Sequence, residues 1–272
     1  MKKSHEIFTI ISIIVFAILV AVGVYIKDGV EMRNTHFFRL EINPKIEFMT
    51  GADNVVDSVY PVNAEAYSLV IGEDFVGLKI DEAVEKFLFL SAKMGYLDVD
   101  AKDNAVQISV TSSFTQALES KIYTTCNKYF SDNAIFCVIA ESDADLALFN
   151  EAKKNGIGNI EKLVLCKSII EKDDSYTIDK LKKLSESDLL KIIKKYHTDY
   201  SEKLENFTQE ELAIKQTIIA NNKAKYDEHI ASLNSKVLQK FSSEYAKFKR
   251  SETAGYELDF AKKYEEHKGA KE

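Results

Sequence analysis

The sequence predicts an α+β protein with a transmembrane helix at its N-terminus, a mainly antiparallel sheet with helices packed on one face, and a helical C-terminal region. Three observations support this prediction. Residues 7–26 form one uncharged apolar run. Residues 36–141 switch between the two-residue period of strands and the longer period of helices, whereas the segments after residue 142 show helical periodicity alone. Only two prolines occur in 272 residues, which favours long uninterrupted helices.

The first predicted element is the membrane anchor at residues 7–26, IFTIISIIVFAILVAVGVYI. About 20 apolar residues are enough to cross a bilayer as a helix. Two lysines precede the run in the tail 1–6, and the basic residues that follow it are mixed with acids, so the positive-inside rule favours an N-terminus inside the cell. The alternative is a cleavable signal peptide, but Ala21-Val22-Gly23 matches the small-x-small cleavage site poorly. We predict a retained single-pass anchor in the cell membrane, with the rest of the chain extracytoplasmic.

Residues 36–141 are predicted to form the α+β domain. Strand patterns occupy residues 37–42, 45–49, 55–60, 105–110 and 134–139, and helical patterns occupy 78–90 and 113–129. The order is β-β-α-β-α-β if the first two segments are counted as one kinked strand. Turn residues at 50–54 predict a hairpin between the second and third segments. The segment 134–139 is apolar on both faces, which predicts a central strand.

Two helical regions are predicted to follow. Residues 142–198 form a helical extension of short helices that lie against the α+β domain, because short helices are not stable alone. Residues 199–272 form a long amphipathic helix and a charged tail. The apolar stripe of this helix consists of Tyr226, Ile230, Leu233, Val237, Phe241, Tyr245 and Phe248. Two interpretations stay open: a helix folded back on its own domain, or a coiled-coil arm at 199–250 that binds a partner or a second copy of the chain.

Composition argues against several classes of function. The net charge is −7, so the chain lacks the basic field that gathers nucleic acid. The three cysteines match no zinc spacing and are predicted to be buried apolar side chains, and the five histidines are scattered singly. We therefore predict neither a metal site nor a cofactor. The sequence contains no Gly-rich phosphate loop, GxSxG or HExxH motif, so an enzyme acting on an external substrate is not predicted.

The candidate site residues are Asn43 and Pro44, which stand between two strand-like segments. One interpretation is a kink, because a proline in a strand belongs at an edge or a bulge. The other is a labile peptide bond. An asparagine side-chain amide can attack its own carbonyl carbon, close a succinimide ring and expel the nitrogen of the next residue. The competing deamidation needs that next nitrogen as the nucleophile, and proline carries no N–H. Strain at the bond and donors to the carbonyl oxygen would speed scission.

A family resemblance strengthens the second interpretation. The segments LEINPKIEF and NVVDSVYPVN resemble the opening of the extracytoplasmic domain of RsgI-type anti-sigma factors. The similarity continues in order through GLKIDEAVEKFLFLSAKMGYL, NAVQISVTS, NEAKKNGIGNIEKLVL and YTIDKLKKLSESDLLKIIKKY, and covers about residues 36–197. The resemblance implies a SEA-like domain that cleaves itself at the Asn-Pro bond, here Asn43–Pro44, with the two pieces remaining paired as strands. Lys45 stands where the family commonly has serine.

The chain also departs from that family. A cytoplasmic tail of residues 1–6 is too small to fold or to hold a sigma factor, and the helical stripe of 199–250 stands where the family often has a sugar-binding or enzymatic module. The leading hypothesis is a membrane-anchored RsgI-like domain in envelope sensing or transmembrane signal relay, beside a partner protein that supplies the cytoplasmic function. The alternative is an uncleaved membrane-tethered structural or interaction module that assembles through its C-terminal helix, with a partner or a second copy of the chain.

Overall fold

The computed structural model describes residues 35–111, 115–141 and 146–252. The predicted anchor at 7–26 and the tail before it lie outside the described residues, as does the end of the chain after residue 252. Within the described ranges, none of the helices combines the length and the apolar character that crossing a bilayer requires. The anchor at 7–26 therefore stays a prediction.

A five-stranded sheet forms the centre of the described structure. Its strands are β1 (His36–Glu41), β2 (Lys45–Thr50), β3 (Val56–Pro61), β4 (Asn104–Thr111) and β5 (Cys137–Glu141), in the order β3-β2-β1-β4-β5. β1 pairs antiparallel with β2 and with β4, β2 pairs antiparallel with β3, and β4 pairs parallel with β5. The mainly antiparallel sheet is thus confirmed, and β1 is its central strand.

Nine helices are described around this sheet. They are α1 (Ala64–Val70), α2 (Ile80–Lys93), α3 (Thr115–Asp132), α4 (Leu146–Lys154), α5 (Ile160–Lys172), α6 (Ile178–Leu181), α7 (Glu186–Glu205), α8 (Gln209–Ser232) and α9 (Ser235–Glu252). Among them, α1 was missed by the sequence analysis. Asn63 is its N-cap, and the Asn63 side chain accepts a hydrogen bond from the backbone N–H of Ala66.

The main apolar core lies between one face of the sheet and the helices α2 and α3. Alternate residues of β1, namely Phe38 and Leu40, point into this core and are fully buried, as the two-residue period predicted. The rings of Phe38 and Phe48 stack with their centroids 4.7 Å apart. Strands β1 and β2 are therefore fixed to each other by side-chain packing as well as by their backbone ladder.

The helices of residues 36–141 pack on one face of the sheet, as predicted, but the opposite face is covered as well. Helices α5 and α7 lie on the opposite face of the sheet and form a second apolar cluster with Phe37 and Met49. This face also carries charged residues such as Arg39 and Glu47, a pattern that is typical of a strand half exposed to water. It is buried instead because α5 and α7 supply partners for those charges. The domain consequently has three layers, helix, sheet and helix.

Two strand assignments also need correction. The segments on either side of Asn43-Pro44 are separate antiparallel strands rather than one kinked strand, whereas the predicted hairpin between β2 and β3 is confirmed. The segment predicted to be a central strand, 134–139, overlaps β5, which begins three residues later and lies at an edge of the sheet. Its second apolar face is covered by α9, where the ring of Phe136 lies 4.6 Å from that of Phe241. Helix α9 therefore buries the second apolar face of this segment, which for that reason does not indicate a central position in the sheet.

The prediction of one long amphipathic helix before the charged tail in residues 199–272 is also wrong. The described part of the stripe is divided between α8 and α9, because Leu233 is extended and the Asn234 side chain accepts hydrogen bonds from the first turn of α9. Both helices fold back on the domain: α8 packs on α1 and α2, and α9 packs on α3. The fully buried Lys215 of α8 donates to the backbone carbonyls of Leu69 and Ile71 at 3.0 and 2.8 Å.

The described parts of α8 and α9 thus agree with the interpretation of a helical region folded back on its own domain. The predicted boundary between residues 198 and 199 falls within α7. Self-association through 199–250 stays a prediction. In that range, Ile214, Ile230 and Val237 are the large apolar side chains that the described structure leaves exposed.

Candidate functional site

The Asn43–Pro44 bond lies in the tight turn between the central strand β1 and its neighbour β2. The ladder between these strands runs up to the pair Glu41 and Lys45, so three residues make the turn. Across it, the backbone N–H of Ile42 donates to the carbonyl oxygen of Pro44 at 3.2 Å. The kink interpretation is therefore wrong. Proline is tolerated here because a turn residue supplies no N–H to the ladder.

One side chain, Asn63, holds the backbone on both sides of this bond. Its Nδ2 donates to the carbonyl oxygen of Asn43 at 2.5 Å, and its Oδ1 accepts from the backbone N–H of Lys45 at 3.0 Å. Oδ1 also accepts from the N–H of Ala66 at 3.1 Å as part of the helix cap. The carbonyl of the predicted scissile bond is thus polarised by a hydrogen-bond donor, while Pro44 itself is buried and Asn43 half-buried.

A cluster of buried polar side chains lies on the face of β1 and β2 that α5 and α7 cover, and we call it the charge cluster. Its members are Arg39 (β1), Glu47 (β2), Ser168 and Lys172 (α5), and His197 (α7). Glu47 is at its centre and is fully buried. One carboxylate oxygen, Oε1, lies 2.5 Å from Nη2 of Arg39 and accepts a hydrogen bond from Ser168. The other, Oε2, lies 2.5 Å from Nζ of Lys172 and 3.2 Å from Nε2 of His197.

Three further side chains contact the charge cluster at its edge, namely Glu41, Glu171 and Tyr60. Arg39 also pairs with Glu41 and Glu171, at 3.2 and 2.5 Å. Nζ of Lys172 lies 4.3 Å from the ring centroid of Tyr60, a distance at which a cation is attracted to the face of an aromatic ring. The ring of Tyr60 in turn stacks on His197. These contacts tie α5 and α7 to strands β1, β2 and β3.

The electrostatics of the charge cluster follow from burial and from these pairs. Burial alone would raise the pKa of Glu47, but the charges of Lys172 and Arg39 and the hydrogen bond from His197 outweigh it and hold that pKa well below 4.5. Burial lowers the pKa of His197 and outweighs the opposing effect of Glu47. The pKa of Tyr60 is raised to about 12, by burial first and then by Tyr200 and the nearby carboxylates. At neutral pH the carboxylate of Glu47 is therefore ionised and the ring of His197 is neutral.

Only one part of this region could be predicted from the sequence. The candidate residues Asn43 and Pro44 both lie in the β1–β2 turn, but neither Asn63 nor any member of the charge cluster was predicted. The available signals were weak: an asparagine before a short helical segment, and charges on the second face of two strands. Cys126, Cys137 and Cys166 are buried, as predicted, and all three are free thiols. In the described ranges, no group of three or more His, Cys, Asp or Glu residues is arranged to hold a metal ion.

Comparison with models of protein families gives a match that includes all five strands of the sheet. Residues 36–168 match the model of the anti-sigma factor RsgI-like central domain. This part of the chain is an RsgI-like domain. The resemblance seen in the sequence is thus confirmed over residues 36–168, and it indicates a regulatory role in signal relay that involves protein partners. No curated protein matches the chain.

The family match runs from the start of β1 into α5. It therefore contains the Asn43–Pro44 turn, Asn63, and the Arg39, Glu47 and Ser168 members of the charge cluster, but it stops before Lys172 and His197. The RsgI-like domain of this chain is completed by a helix, α7, from beyond the matched region. Its SEA-like character and its self-cleavage stay predictions.

The stability of the RsgI-like domain is expected to fall on acidification. The pKa of His197 is lowered from 6.5 in the folded state, so the unfolded chain binds the proton first and stability is lost as the pH falls below about 6.5. Glu47 adds a second loss below 4.5, because its folded-state pKa is also lowered. Each group contributes at most about 1.4 kcal/mol per pH unit.

Urea unfolding of the Asn43→Ala chain with and without His197→Gln, followed by circular dichroism at pH 7.5 and 5.5, checks this expectation on a continuous polypeptide. Glutamine keeps a donor for Glu47 but does not titrate, so the variant should lose less stability between the two pH values. His36, whose pKa is also lowered by burial, contributes equally to both chains. Equal losses would show that His197 is not the titrating group.

Proposed function

We propose that this chain is a single-pass membrane protein in which the extracytoplasmic RsgI-like domain cleaves itself at Asn43–Pro44, remains assembled, and relays a signal to a partner. The observation that supports this function best is the position of the bond. It lies in the turn directly after the central strand β1, so a break there would separate the anchor-proximal strand from the rest of the chain without removing any residue from the sheet.

The reaction needs no cofactor and happens once. The side-chain nitrogen of Asn43 bonds to its own carbonyl carbon, and the bond from that carbon to the nitrogen of Pro44 breaks. The products are a piece of residues 1–43 that ends in a succinimide and a piece of residues 44–272 that begins with proline. This is a single-turnover event within one molecule, so the chain would not act as an enzyme on other substrates.

The pieces would stay together because β1 is held on every side. It pairs with β2 on one edge and with β4 on the other. Phe38 and Leu40 are buried in the main core, and Phe37 is buried under α5 and α7. Removing β1 would expose these side chains and leave two unpaired strand edges. A cleaved domain is therefore a stable junction that only force or a competing partner would open, which is the property a relay requires.

Replacement of Asn43 by alanine is expected to abolish cleavage, because alanine has no side-chain nitrogen to attack the carbonyl. We expect purified wild-type chain to show two bands on a denaturing gel, with intact masses matching residues 1–43 and 44–272. The Asn43→Ala chain should show one band. Asn150→Ala, an exposed change in α4, should cleave like the wild type. A wild-type chain that remains one intact polypeptide would contradict the proposed cleavage.

A further inference from the structure

We propose that Asn63 is a catalytic residue of this self-cleavage and supplies the hydrogen-bond donor for the oxyanion that forms at Asn43. This inference rests on the proposed function, because it concerns the same bond. It assigns a role to a residue that no motif identifies and that lies 20 positions from the reacting carbonyl in the sequence.

The geometry fixes which end of the Asn63 amide faces the reacting bond. Its Oδ1 accepts two backbone N–H groups, from Lys45 at 3.0 Å and from Ala66 at 3.1 Å. An N–H can only donate, so the oxygen must lie on that side and the NH₂ group must lie on the other. That NH₂ group is 2.5 Å from the carbonyl oxygen of Asn43. The donor is therefore in place before the reaction starts.

Asn63 is also held rigidly. It caps α1, and the backbone N–H of Val62 next to it donates to the carbonyl oxygen of Lys45 at 2.8 Å. A donor that is already oriented needs no reorganisation as charge develops, which is what makes oxyanion stabilisation effective. The residues on either side of Pro44 are bound by the same side chain, so the turn keeps its shape while the carbonyl carbon changes from planar to tetrahedral.

The reaction can be followed atom by atom. As the side-chain nitrogen of Asn43 bonds to the carbonyl carbon, the electron pair of the C=O double bond moves to the oxygen, which becomes the oxyanion that Asn63 stabilises. The pair returns as the bond to Pro44 breaks. The attacking nitrogen loses one proton and the proline nitrogen gains one, through solvent water. A second water then opens the succinimide ring, with no oxidation or reduction.

Two variants separate donation from structure. Asn63→Ser keeps an oxygen that can cap α1, but the shorter side chain cannot also reach Asn43. Asn63→Asp keeps both acceptor contacts and replaces the NH₂ donor with a carboxylate oxygen, which accepts only while it is ionised. Loss of one oxyanion donor costs about 10²- to 10³-fold in rate. We expect both variants to cleave slower than the wild type by that factor at pH 7.

The measurement is a time course of the full chain made by cell-free synthesis in the presence of lipid vesicles, stopped in denaturant and resolved on a gel at pH 7 and at pH 4.5. At pH 4.5 roughly a fifth of an ordinary aspartic acid side chain is protonated and can donate through its O–H. The deficit of Asn63→Asp relative to the wild type should therefore shrink at least tenfold at pH 4.5, whereas that of Asn63→Ser should stay. A purely structural role for Asn63 would not produce this recovery.

The outcomes distinguish the two proposals. If the wild type cleaves and both variants cleave at its rate, the role of Asn63 is overturned and the self-cleavage stands. If the Asn63→Asp deficit is the same at both pH values, the donor role is also overturned, whatever the stability of the variant. If the wild type does not cleave, both proposals fall.

Discussion

Replacement of Glu47 by alanine is expected to lower the free energy of unfolding of the domain by about 3–5 kcal/mol, because it leaves buried cations without a counter-charge. The Glu47 side chain is fully buried and meets Arg39, Lys172 and His197. Arg39 would keep Glu41 and Glu171, but Lys172, whose side chain is 1 % exposed, would lose its nearest carboxylate. The cavity left by the missing side chain adds to the cost.

Urea unfolding followed by circular dichroism at pH 7 measures this change, with each variant made in the uncleavable Asn43→Ala chain so that one polypeptide unfolds. Glu228→Ala is the matched control, because Glu228 lies exposed near the C-terminal end of α8 and surface substitutions usually change stability by less than about 0.5 kcal/mol. A loss for Glu47→Ala no larger than that of the control would mean that the charge cluster does not fix α5 and α7 to the sheet.

The charge cluster also shows where sequence reasoning stops. The alternation of Phe38 and Leu40 with charged neighbours identified the strand and its apolar face, because the two-residue period is a local property. The opposite face carried Arg39 and Glu41, which is typical of exposure to water. Burial of this face depends on distant partners, since Lys172 lies 125 positions and His197 150 positions from Glu47 in the sequence. No local pattern reports a partner at that distance.

For a similar reason, the reacting dipeptide Asn43–Pro44 could be predicted from the sequence, whereas its hydrogen-bond donor could not. The chemistry of the dipeptide is a local property and could be inferred from two letters. The donor from Asn63 depends on the pairing of β2 with β3, which brings residue 63 back to the turn. Likewise, the break in the C-terminal stripe falls at Leu233 and Asn234, without the glycine or proline that usually marks a helix end, and only the Asn234 cap signals it.

In the cleaved chain, Arg39→Met is expected to speed release of the 1–43 piece on the order of 10²- to 10³-fold. Arg39 belongs to that piece, whereas Glu47, Ser168 and Glu171 belong to the other, so these contacts cross the break. Breaking a buried ion pair costs about 3–5 kcal/mol, and each 1.4 kcal/mol is about a factor of ten in an equilibrium or a rate. Methionine retains part of the apolar length of arginine, so the loss reports the charge.

The experiment immobilises the full chain in detergent by a tag at its N-terminus and follows the appearance of residues 44–272 in solution at a fixed moderate urea concentration. Lys128→Met removes an exposed cation of α3 and should release at the wild-type rate. Asn43→Ala combined with Arg39→Met should release nothing, because the chain stays continuous. Equal release rates for Arg39→Met and the wild type would place the resistance of the junction in the strand ladders and the apolar core alone. A faster rate would make the charge cluster the element that sets how much force or partner binding the relay needs before its two pieces part.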